Sequence, residues 1–240
     1  MNHLNLRKTN CTFYGLAFLL LLCFGNAGRA GEAYYVMVFS SQQTPNRPSH
    51  SHSFATFVKA TGKSPTLPGS RLETHTISWL PENLVVRPWA IRPEYGHNFG
   101  LHETLRHAID NGDRVSLWGP YRIDRELYSR ALEQIALLES GNVLYKAVDA
   151  SYATDSVSNC IHALSSIADG YRLRVIAPGW GETASFYVKE RFEPWILDEE
   201  RTYDWVARAV GLEKYPIIYR DKGPSMSAFR EPLGRRLRSE

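Results

Sequence analysis

Ser158–Ala168, SNCIHALSSIA, is the stretch on which the reading of this chain turns. Ile161, Leu164 and Ile167 recur at helical spacing, Ser158 or Asn159 suits an N-cap, and Gly170 supplies a left-handed stop. The pattern predicts a helix from about Cys160 to Ala168, with Cys160 in its first turn. There the helix dipole and unpaired backbone N–H groups favour negative charge, which lowers a thiol pKa and can hold an oxyanion beside the sulfur. The bland alternative is a small apolar residue packing the start of a core helix.

Upstream of that helix, Val143–Val148 reads as a strand carrying Tyr145. Arg125–Ser140 reads as a helix with Asp124 as its cap, Gly141 as its stop, and Leu127, Ala131, Ile135 and Leu138 along one face. Ala33–Ser40 is a β-rich apolar run, and His52–Lys59 (HSFATFVK) alternates, with Phe54, Thr56 and Val58 on one side and Ala55 and Phe57 on the other. Glu73–Leu80 reads as a third strand ended by Pro81, His102–Asp110 as a short helix, and Val115–Ile123 as a strand bent at Gly119-Pro120. Apolar segments at Arg174–Ala177 and Phe186–Lys189, a helix near Glu199–Val210 and a strand at Tyr215–Tyr219 follow. No regular βαβα alternation and no Gly-rich phosphate loop is present. The expected class is α+β with a mostly antiparallel sheet.

The N-terminus reads as a targeting segment. Arg7 and Lys8 precede the apolar run Phe13–Phe24 (FYGLAFLLLLCF), and small residues from Gly25 to Gly31 suit cleavage near Ala30. Residues 1–30 are thus expected to be a signal peptide, and 31–240 one α+β domain with a core at about 33–170 and an extension at 171–240. The expected location is periplasmic or secreted, with no transmembrane domain in the mature chain; an uncleaved anchor is the lesser alternative. Of 28 basic residues, Arg7, Lys8 and Arg29 fall in the signal, which leaves 25 against 25 acidic ones. Such a balance gives no broad positive field for nucleic acid. Cleavage also removes Cys11 and Cys23, so Cys160 becomes a lone thiol that is buried and inert, paired between chains, or reactive.

A thiolate nucleophile needs a base, usually histidine, held by a third polar group. His52 opens the alternating strand and His75 lies in the next one, so both imidazoles could meet at one end of a sheet. His102 and His107 read as solvated residues on a surface helix, and His162 as pointing off the opposite side of its helix from Cys160. His50 and His52 lack a second cluster with ligand spacing, so neither a metal site nor a cofactor is expected.

A histidine at a strand start, a polar residue on the following strand and Asn-Cys at a helix start, in that order, resemble the circularly permuted papain-like superfamily. That group includes permuted peptidases and amidases of the NlpC type and the lecithin–retinol acyltransferase-like enzymes. Asn159-Cys160-Ile161-His162-Ala163 resembles their Asn-Cys-x-His-Phe motif, and His52-Ser53-Phe54 their strand start. The resemblance covers roughly His52 to Ala168 and implies a permuted papain-like fold. It makes Cys160 the nucleophile, His52 the general base and His75 its orienting residue, with Tyr145 and Asn159 at the oxyanion and substrate side. The implied activity is hydrolysis of an amide or ester through an acyl-enzyme, on a cell-wall peptide or an acyl substrate. Ala163 departs from the motif's aromatic, the spacing from His52 to His75 is long, and nothing after Gly170 has a counterpart. The alternative is a non-catalytic envelope binding or scaffold module that keeps the fold.

Overall fold

A computed structural model describes residues 31–148, 156–170, 172–173 and 180–221. The signal-peptide reading of residues 1–30 and the apolar segment Arg174–Ala177 lie wholly or mainly outside these residues. Strand β1 (Gly31–Gln42) runs down the middle of the sheet. It is followed by β2 (Ser51–Gly62), β3 (Arg71–Ile77), β4 (Trp79–Pro81), β5 (Glu94–Asn98), helix α1 (Leu101–Asp110) and β6 (Arg114–Ile123). Then come α2 (Arg125–Glu139), β7 (Leu144–Tyr145), β8 (Val157–Ser158), α3 (Cys160–Asp169), α4 (Glu182–Phe192), α5 (Asp204–Ala209) and β9 (Ile217–Arg220).

The main sheet has the order β3-β2-β1-β6-β9 and is antiparallel except for the β6–β9 pair. A second sheet of short strands, β4-β5-β7-β8, lies beside it. The class is α+β with mainly antiparallel sheets, as the mixed sequence pattern predicts.

Both faces of the main sheet are covered, which explains why β1 reads as a continuous apolar run and not as an alternating one. Tyr34, Val36 and Val38 face one core with Ala55, Phe57, Trp118 and residues of α2, α3 and α4. Tyr35, Met37 and Phe39 face the other core with Phe54, Val58 and residues of α1 and α5. The alternation read in β2 is therefore real, and it sorts every β2 side chain to the α3 side or the α1 side. At the bend in β6, Gly119 has φ +92°, and an added Cβ would lie 2.8 Å from the Val36 carbonyl oxygen. Glycine there permits the bulge opposite Val36 and Val38.

Three sequence expectations change, and one segment left without an assignment gains one. Glu73–Leu80 is not one strand: it breaks at Ser78, whose N–H donates to Asn98 Oδ1 at 2.9 Å, and Trp79–Pro81 joins the second sheet. Only Leu144–Tyr145 of the expected strand Val143–Val148 is extended in a ladder. Phe186–Lys189 lies within helix α4. The helix expected near Glu199–Val210 shortens to Asp204–Ala209. No helix among the described residues is long and apolar enough to cross a membrane.

Candidate functional site

Helix α3 starts where the capping chemistry places it. Asn159 has extended backbone angles, and its Oδ1 accepts the His162 N–H at 2.9 Å; Gly170 ends the helix with φ +76°. Cys160 is a free, buried cysteine, 8 % exposed, in the first turn. Burial pushes its thiol pKa up, while the backbone N–H groups of Ser53, Ile161 and Cys160 itself oppose that rise. Cys160 lies where the start of α3 meets Ser51 and Ser53 of β2, which line the same small cavity. Beyond Ala55 the β2–β3 ladder has ended, so β3 does not cover this part of the strand.

Tyr145 is brought beside Cys160. Both line a small cavity of about 20 Å³ with Ser53, Pro48 and Trp180. Burial, then the neighbouring thiol, raise the Tyr145 hydroxyl pKa well above its ordinary value. Cys160 and Tyr145 therefore line one cavity, while the Asn159 side chain is spent on the cap of α3.

His52 does not join them. Registry pairs His52 with Ser41, and Ser53 with Ser40. His52 stacks on Phe54 at 5.4 Å, and Phe54 stacks in turn on Phe39 at 4.7 Å, in the core on the α1 side. Ser53 lies on the α3 side, where its Oγ is 2.8 Å from Ser185 Oγ of α4. The β2 residue that faces Cys160 is Ser53, so the expected Cys160–His52 pair is corrected: side chains on neighbouring strand positions point to opposite faces.

His75 does not orient His52 either. It pairs in register with Phe57, and its Nε2 lies 2.8 Å from Glu73 Oε1 on a partly exposed surface. It stands edge-on to Tyr128 of α2. The group that holds His52 is Ser78, at 2.9 Å from Nε2, and Thr104 Oγ1 donates to that same Ser78 oxygen at 2.8 Å. His52 is only 6 % exposed, and its Nδ1 has no hydrogen-bond partner. Burial, reinforced by His107, lowers its pKa from 6.5 to about 3.

His52 instead lines a cavity of about 360 Å³ on the α1 side, together with the polar residues His50, His107, Asn111 and Asp113 and the apolar residues Leu80, Leu84, Val85 and Val86. Leu84 has φ +60°, a strained conformation for a leucine. Ser51 and Val86 border both this cavity and the small one at Cys160. The sequence reading of His107 as a solvated surface residue missed this wall. Its signal was the helical spacing of Thr104, His107, Ala108 and Asn111, which all line the cavity. His162 is itself buried, since α3 is buried on nearly all sides.

Among the described residues no group of three or more His, Cys, Asp or Glu side chains is placed to hold a metal ion. Comparisons with protein-family models, with curated proteins and with solved structures find nothing that matches the chain.

Proposed function

We propose that this chain is an exported, ligand-binding module in which Cys160 packs and anchors the start of α3, and not a hydrolase of the Cys–His type. One observation carries the reading: Ser53, not His52, occupies the β2 position against the Cys160 sulfur. A serine hydroxyl is too weak a base to take a thiol proton near neutral pH, and the thiol itself is held protonated by burial. Export follows from the basic start and the Phe13–Phe24 apolar run. The ligand site of this reading is the 360 Å³ cavity, whose size suits a small organic molecule.

The thiol-hydrolase reading keeps one favourable feature, the backbone groups of Ser53, Ile161 and Cys160 that oppose the rise in the thiol pKa. Acyl transfer from p-nitrophenyl acetate separates the two. The binding-module reading predicts no acetyl adduct on Cys160 by peptide mass mapping of the folded chain. Rapid acetylation at Cys160, abolished in Cys160→Ala and followed by hydrolysis, would establish the enzyme.

A further inference from the structure

We infer that the cavity on the α1 side binds a small organic cation, a primary ammonium group on a short apolar body, with Asp113 as its counter-ion. The inference rests on the binding-module reading and adds the class of ligand. Asp113 is among the lining residues; its Oδ1 is buried without a hydrogen-bond partner, and Gln43 hydrogen-bonds the same carboxyl group. No lysine or arginine is among the described lining residues, so the lining carries an acidic group and no fixed positive charge.

The other titratable groups on the wall are His50 from the turn before β2, His52 from β2 and His107 from α1. His52 and His107 are held neutral by burial, as their lowered pKa values indicate. A neutral imidazole offers a lone pair as well as an N–H. The His52 ring is among the lining residues, stacked on Phe54 and held through its Nε2 by Ser78. An ammonium group has three donors and no acceptor, and so matches a wall of one carboxylate, neutral imidazoles and serine and asparagine oxygens. Desolvation raises the Asp113 pKa to about 6, against the opposing effects of His50 and the Gln43 hydrogen bond, and a bound cation would favour the charged form further.

The apolar part of the lining fixes the rest of the ligand. Leu80, Leu84, Val85 and Val86 present an apolar surface with no charge. A short alkyl or aliphatic side chain would cover it, while a second charged group would be desolvated there at a cost. A phosphate or a carboxylate ligand would meet Asp113 with the wrong sign.

The experiment is isothermal titration of the full chain near pH 7.5 with hexylammonium, hexanol and hexanoate, which share a hydrophobic body and differ in the head group. Saturable binding of hexylammonium, with hexanol and hexanoate weaker by about tenfold or more, is the expected result. Asp113→Asn should remove the preference for the ammonium over the alcohol, and circular dichroism reports whether that variant is folded. Equal binding of all three compounds by the unaltered chain, tighter binding of hexanoate, or no binding of any of them would overturn the inference without reference to the variant. Each of these outcomes would leave the inert-thiol reading standing, because that reading is decided at Cys160.

Discussion

At the scale of the residue, the decisive pair is His52 and Ser53. The alternation read in Phe54–Val58 already contained the answer, since stepping back along the strand puts His52 with Phe54 and Ser53 with Ala55. The order of motif residues pointed to His52; the parity of the strand pointed to Ser53. What no sequence pattern could supply was the sheet face on which α3 docks, because β2 is apolar on both faces. The buried His52 makes a pH prediction. Its pKa falls from 6.5 to about 3 on folding, so in that window the unfolded chain binds the extra proton. Stability is therefore complete above pH 6.5 and declines as the pH drops toward 3, by about 1.4 kcal/mol per pH unit from this group. Urea denaturation of His52→Leu should show a shallower acid limb, by close to one proton between about pH 6 and 4. An unchanged limb would place the imidazole in a solvated setting.

At the scale of the element, α3 is the best-read part of the molecule. Its cap, first turn and stop were legible because each depends on local backbone chemistry, and Asn159 and Gly170 act as that chemistry requires. Asn159→Ala should cost about 1 kcal/mol through loss of the bond to the His162 N–H. Leu164, fully buried in the middle of the helix, should cost about 2–5 kcal/mol on truncation to alanine, measured by urea denaturation. A loss for Leu164→Ala well below that range would mean that α3 is not packed against the sheet. The break at Ser78 was illegible for the opposite reason. Thr76-Ile77-Ser78-Trp79-Leu80 continues as a plausible strand, and the chain leaves the sheet only because Asn98 and Thr104 capture Ser78 from distant positions. The same capture seats His52, so a long-range contact determined both the strand boundary and the site.

At the scale of the whole molecule, helices on both faces of one sheet divide its chemistry into two compartments. The α3 side holds Cys160, Tyr145 and a buried polar group around Glu182; the α1 side holds the histidines and Asp113. Glu182 receives Arg220 Nη2 at 2.9 Å and Arg114 Nη2 at 3.1 Å, together with the Ser116 hydroxyl, which ties α4 to β6 and β9. Removing that carboxylate deprives two partly buried guanidinium groups of their shared counter-ion. Glu182→Ala should therefore lose about 3–5 kcal/mol of unfolding free energy in a denaturant titration. A loss below about 1 kcal/mol would mean that the cluster is solvated. The class of the fold was legible from the mixture of elements, whereas the compartment to which each titratable residue belongs was not, because that depends on how the helices are distributed over the two faces.

The separation of Cys160 from His52 by the β2 backbone is the claim on which the functional reading stands. The pH dependence of iodoacetamide alkylation at Cys160 in the folded chain tests it most directly. The account predicts slow labelling near neutral pH, a rate that climbs only above the ordinary thiol pKa, about 8.5, and no response to His52→Ala. Fast labelling that titrates near neutral pH and collapses in His52→Ala would contradict it.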